Sequence, residues 1–294
     1  MARNLTTRKP WQKKKAGLLP LGLVLVSFSA LADTPPFSLD SPWLMGDWGG
    51  YRQKLADDGV DFQVGYTMQS AANLAGGYRT ATTMRYADQW TFGSTLDLDK
   101  LLNWQGGTFQ ATVTNRSGKN LTSYLNDPRT GGLSNVQGIS ARGEYLRLTQ
   151  FWLNQSLFNN WLDVKLGRVT TNEDFDTAKL GMFQNWAMGS GQPGHWRNDR
   201  WFNAPVSQWG GRIKLNLPED LYLQVGIYNQ NKVNYTKGNG FRFDMRHGEG
   251  NLVPMELGWQ PKLGADKLQG NYRLGGYYSS TSGGNYSSWN DGKY

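Results

Sequence analysis

From Val60 onward, apolar residues recur at every second position, and this period restricts the fold more than any other feature of the chain. Phe62, Val64, Tyr66 and Met68 alternate with Gln63, Gly65, Thr67 and Gln69. The same period runs through Phe109, Ala111 and Val113, through Leu162, Val164 and Leu166, and through Ile213, Leu215 and Leu217. Leu221, Leu223, Val225 and Ile227 repeat it against Tyr222, Gln224, Gly226 and Tyr228. A period of two gives a β-strand one apolar and one polar face. Nine strands are predicted, at 60–71, 86–99, 107–116, 144–156, 161–169, 206–217, 221–230, 252–261 and 269–279. Strand 144–156 is irregular, because Leu146, Leu148 and Trp152 share a parity with Gln150. Ahead of the strands, Asp47 to Gly59 reads as one short helix, with Asp47 as N-cap and Gly59 as the stop.

The links between strands alternate in length. Those after even-numbered strands are short: 100–106, Leu157–Asn160, Pro218–Asp220 and Lys262–Leu268. Those after odd-numbered strands are long: 72–85, 117–143, 170–205 and 231–251. A soluble β-sandwich also alternates in polarity along its strands. Short turns on one side and long loops on the other are the mark of a transmembrane barrel, with periplasmic turns and extracellular loops. The reading is therefore all-β, an antiparallel transmembrane β-barrel preceded by a short helix. Trp161, Trp259, Tyr272 and Tyr278 lie near strand ends, where such barrels carry aromatic girdles.

The first 32 residues fit this reading. A stretch with Arg3, Arg8, Lys9, Lys13, Lys14 and Lys15 precedes an apolar run from Ala16 to Ala30 and then Ala30-Leu31-Ala32. That is the pattern of a secretory signal peptide cleaved after Ala32, and the run is too short to span a bilayer as a helix. The expected organisation is a signal peptide at 1–32, a periplasmic segment with the helix at 33–59, and barrel from 60 to 294. The leader holds six of the 31 basic residues and none of the 23 acidic ones, so its removal lowers the net charge from +8 to +2. The basic balance of the whole chain is thus no argument for nucleic acid. With no cysteine, disulfide frameworks and thiolate chemistry are excluded.

Residues 41–52 (SPWLMGDWGGYR), followed by Leu55 and Gly59-Val60-Asp61, resemble the mature N-termini of the carbohydrate-selective porins, the OprB family. Residues 166–175 (LGRVTTNEDF) look like that family's Gly-Arg stretch ending in an acidic pair and Phe. Asn203-Ala204-Pro205 and Gly226–Asn229 are similar too, so the resemblance covers most of 41–279. It implies a barrel of roughly 16 strands that admits sugars such as glucose through the bacterial outer membrane. Its partners would be small sugars, outer-membrane lipid and lipopolysaccharide, with a homo-oligomer an open option and no nucleic acid. Nine strands is an odd number, and Ser279–Tyr294 is rich in Ser, Gly and Asn. Single-chain bacterial barrels have even counts, so the chain reads as cut within an extracellular loop, about seven strands short.

No catalytic signature stands against this. Gly-x-Ser-x-Gly, His-Glu-x-x-His and P-loop motifs are absent, and His195 and His247 lie in long loops without ligand partners at useful spacing. No cofactor is called for. Glu173, Asp174 and Asp176 carry the acids of a glycosidase pair, but three acids in one loop read first as a solvated or cation-binding edge. The polar strand face carries Asp97, Arg116, Arg147, Asp163, Lys165, Arg212, Lys214, Glu256 and Arg273, which would line the lumen. Basic groups outnumber acids there, so a weak preference for anions is expected. Glu173, Asp174 and Trp201 join the candidates because loop 170–205 either folds inward to narrow the pore or stays on the surface. Arg168 falls on the apolar parity, where a charge needs a bulge or a strand end to be tolerated. The alternative function is a soluble or surface-attached glycan-binding protein with a lectin-like platform of Trp and Tyr.

Overall fold

In a computed structural model the strands are Val60–Asn73 (β1), Thr83–Asp97 (β2), Gly107–Gly118 (β3), Leu146–Leu157 (β4), Leu162–Val169 (β5), Gln208–Leu217 (β6), Leu221–Gln230 (β7) and Gly250–Trp259 (β8). Lys262–Leu263 (β9), Leu268–Gln269 (β10) and Tyr272–Ser279 (β11) follow. The structure describes residues 36–37, 41, 43–125, 127, 136–140, 145–177, 201–246, 248–265 and 267–281. The leader and its cleavage point, His195, His247, the 196–200 stretch and residues 282–294 lie outside them.

Nine strands form one antiparallel sheet in the order β1-β2-β3-β4-β5-β6-β7-β8-β11. The link expected at Lys262–Leu268 is itself a small hairpin of β9 and β10. The second strand ends two residues early. Asp97 caps a short helix, Leu98–Leu102 (α1), by accepting from the backbone N–H groups of Asp99 and Lys100. The helix expected at Asp47–Gly59 is also shorter, running from Tyr51 to Asp57 (α2). Trp48, Gly49 and Gly50 take φ of 58°, 69° and 82°, which a right-handed helix does not allow. Asp47 is therefore no N-cap, and its carboxylate closes a local turn by accepting from Gly49 N–H at 3.1 Å.

The irregular strand is explained by a bulge. Thr112 pairs with Gln150 and Val113 with Leu148, which leaves Thr149 as an extra residue in β4. One inserted residue reverses the parity, so Leu146 and Leu148 lie on the apolar face while Gln150 and Trp152 lie on the polar one.

Burial along the strands is inverted relative to a soluble protein. In β7, Leu223, Val225 and Ile227 are exposed, while Tyr222, Gln224 and Tyr228 are buried. In β8, Met255 and Leu257 are exposed and Glu256 is buried. Phe62, Val64, Met68, Trp90 and Phe92 extend the exposed apolar face across β1 and β2. Apolar-out, polar-in alternation suits a sheet with lipid on one side and a polar interior on the other. At the end with the short links, Trp104, Trp161, Trp259 and Tyr272 are exposed. The indole N–H of Trp104 donates to Gln155 at 2.6 Å, and that of Trp259 to the Glu219 carbonyl at 3.1 Å. Rings with one polar contact and an exposed body suit interface depth.

Candidate pore-lining face

Beyond β5 the chain crosses the polar face. A short helix, Thr171–Asp174 (α3), and residues 175–177 meet five strands in succession. Lys165 of β5 lies 3.1 Å from Glu173 and 2.7 Å from Asp174. Arg212 of β6 meets Asp174 at 3.0 Å and Asp163 at 2.6 Å. Gln224 of β7 donates to the Asp174 carbonyl at 2.8 Å, and Asp176 N–H donates to Glu256 of β8 at 2.9 Å. Arg273 of β11 donates to the Thr177 hydroxyl at 3.0 Å. Beneath this bridge Val169, Phe175, Trp201, Tyr228 and Leu252 form an apolar cluster. The start of loop 170–205 lies against the polar face, where five strands supply partners for it.

The acids are accordingly not a solvated edge. Asp174 and Lys165 side chains are both less than a tenth exposed and are paired with each other. A charge at such depth is tolerable only with a partner and hydrogen bonds, and this cluster supplies both. Lys165 Nζ also lies over the Trp152 ring, 4.4 Å from its centroid. Asp163 accepts from Asn154 at 2.7 Å. Lys214 sits over the Tyr222 ring at 4.5 Å.

Other sequence candidates have different duties. Asp97 shares the polar parity but serves as the helix cap described above. Arg147 is buried, covers the Tyr145 ring and donates to the Tyr235 carbonyl at 3.3 Å, so it anchors a loop instead of facing an open wall. Trp201 is packed into the apolar cluster, edge-on to Tyr277, and offers no open platform. Arg116 does lie on the polar face and donates to Gln89 at 2.7 Å.

Uncharged side chains form hydrogen-bonded ladders along the polar face as well. Gln110 donates to Thr112 at 2.8 Å, and Thr112 donates to Gln150 at 2.6 Å. Tyr222 and Gln224 donate to Glu256 at 2.7 and 2.9 Å. Parity alone assigns most of these groups to the polar face, but their mutual bonding requires the register.

The profile of the carbohydrate-selective porins, OprB family, matches residues 81–292. The chain belongs to this family. Porin B of Pseudomonas aeruginosa is 46% identical over 281 residues, which are 95% of this chain and 61% of that protein. The high-pH structure of Pseudomonas putida OprB superposes with a TM-score of 0.79 at 44% identity, covering 84% of this chain and 58% of that one. The low-pH structure of the same protein gives 0.54 at 33% identity, covering 83% and 63%. The chain thus spans about three fifths of the length of Porin B. As an OprB-family porin it is an outer-membrane protein.

Two family-like motifs acquire physical reasons. Arg52, in the Gly-Gly-Tyr-Arg stretch, is buried, donates to the Phe62 carbonyl and lies 4.0 Å from Asp61, which ties α2 to the start of β1. Gly167, with φ 145°, pairs with Trp152 where any Cβ would strike the Phe151 carbonyl. Arg168 keeps the apolar parity yet is buried, donating to the carbonyls of Arg242 and, at 3.1 Å, Ser207. It stands at a strand end, under a loop that folds back over the outer face.

Proposed function

We propose that the porin of which these residues are part passes small neutral sugars, glucose among them, by passive diffusion, and performs no catalysis. The nine strands close with further strands into a barrel of roughly 16, since an open edge in lipid leaves backbone groups unsatisfied. The bridge at 171–177 narrows the lumen on one side. The observation that carries this reading is that bridge on the polar face, tied from Lys165 across to Arg273. Its surroundings offer fixed donors and acceptors such as Gln150, Asn154, Lys214 and Tyr222, which suit hydroxyl-rich, uncharged solutes. The pairing of Lys165 and Arg212 with acids leaves a nearly neutral wall. Any anion preference is therefore weaker than the raw surplus of basic residues suggests.

Planar bilayers test this. The purified porin should conduct in potassium chloride, and glucose added to millimolar levels should lower the current in a saturable way. Conductance indifferent to sugar would reject carbohydrate selectivity, and no conductance would reject the pore.

A further inference from the structure

We infer that residues 241–246 form an outward-facing docking strip for the phosphorylated glycolipid of the outer leaflet. The inference rests on the barrel reading, with long loops outside.

The strip lies on the lipid side of the sheet. Phe151, Arg168 and Trp209 share the apolar face, because Phe151 pairs with Arg168 and Arg168 with Trp209. The Phe243 ring meets Phe151 edge-on at 5.6 Å and Trp209 at 6.1 Å. Trp209 Nε1 donates to the Phe243 carbonyl at 2.6 Å, and Arg168 donates to the Arg242 carbonyl. Leu148 N–H donates to the Gly240 carbonyl at 3.0 Å, where the bulge frees it from the ladder. The loop after β7 thus passes over the rim and lies down on the outer face of β4 to β6.

Its sequence alternates as a strand does. Phe241, Phe243 and Met245 are exposed apolar residues, while Arg242, Asp244 and Arg246 intervene. The three apolar side chains continue the exposed apolar belt of the sheet up to its rim. Arg246 is 80% exposed, whereas Arg242 is mostly enclosed and pairs with Asp244 at 2.5 Å. Asp244 sits between the two guanidiniums, and hydrogen bonding from Arg242 holds its carboxyl well below the usual carboxylate range. It stays ionised at physiological pH, so the triad carries one net positive charge, with the Arg168 guanidinium buried directly beneath. Acyl chains against Phe and Met, and phosphates against Arg, match a membrane glycolipid with anionic headgroup and apolar tail. A free phosphate has no use for the apolar half.

The test uses the full porin purified in detergent, with lipopolysaccharide and its enzymatically dephosphorylated form as probes, counted by native mass spectrometry. Arg242→Gln with Arg246→Gln leaves the backbone carbonyl that Arg168 uses. Wild type should hold lipopolysaccharide roughly 10- to 30-fold more tightly than the double variant. Arg246→Gln alone, at an exposed position, should give a smaller loss in the same direction. Dephosphorylated lipid should bind wild type and variant alike. Equal retention of phosphorylated lipid by all proteins would overturn the inference, as would a change in oligomeric state by light scattering in place of a change in lipid binding. Conductance of the same preparations in bilayers reports on the pore separately: lost lipid preference with intact conductance rejects the strip alone.

Discussion

Lys165 Nζ lies 2.7 Å from Asp174 Oδ1, and this contact joins strand β5 to the segment that crosses the polar face. The same Asp174 oxygen accepts from Arg212 at 3.0 Å, so one carboxylate bridges two cations from adjacent strands. The acids that sequence alone leaves as a loop edge are thereby paired groups on the polar face.

Changing that balance should change ion preference. Asp174→Asn is expected to shift the reversal potential toward anion selectivity in a salt gradient, and Lys165→Gln toward cations. The effect should shrink at high salt, where charges are screened within about 3 Å at 1 M. Identical reversal potentials for both variants and wild type would remove these groups from the ion path.

The bridge also depends on a missing side chain. A Cβ at Gly226 would come within 2.7 Å of the Tyr228 ring and 2.9 Å of the Phe175 ring, so Gly226→Val must displace this ring pair beneath the bridge. Overpacking of this kind costs about 1–3 kcal/mol. We expect a larger and noisier single-channel conductance with the barrel still folded. An unchanged current histogram would mean that Phe175 does not hold the bridge in place.

The assigned faces predict an asymmetry between residues of opposite parity. Val225→Arg points a charge at lipid and should cost about 2–4 kcal/mol if it lies near the midplane. Thr67→Arg, exposed on the polar face of β1, should be tolerated. Gln224 is a poor control despite its parity, because it is buried between Glu256 and Asp174. Folded fractions from heat-modifiable gel mobility decide the matter, and equal losses for Val225→Arg and Thr67→Arg would invert the faces.

Sidedness can be read on whole cells, since the chain has no cysteine of its own. Lys237→Cys should react with an impermeant maleimide and Glu219→Cys should not. The opposite pattern would turn the barrel over in the membrane.

Arg168 should act as the clasp of the 241–246 segment. Arg168→Met removes two charge-assisted bonds to carbonyls and should cost about 1.5–3 kcal/mol for each. Limited proteolysis should then cut between residues 236 and 246 faster than in wild type. Unchanged cleavage would assign the clasp to Trp209 and Phe243 instead.

The sequence by itself determined the sheet. Side chains of a strand alternate strictly, so Leu223, Val225 and Ile227 declare their face without any knowledge of neighbours, and link lengths follow from where alternation stops. Local chemistry that breaks the period was less legible. The Thr149 bulge mixes two parities within one strand, and the positive φ values at Trp48 to Gly50 end a helix that amphipathic spacing would start there. Only the tertiary structure decided which residues of the polar face are taken up by other contacts. Asp97, Arg147 and Trp201 have the right residue types but are consumed as cap, loop anchor and core, while the uncharged Tyr222 and Gln224 are buried against Glu256. The reason is that period two fixes the side a residue faces but says nothing of what folds over that side. Segments 171–177 and 241–246 come from the long links between strands, and they lie on opposite faces of the sheet through contacts dozens of residues apart in the chain.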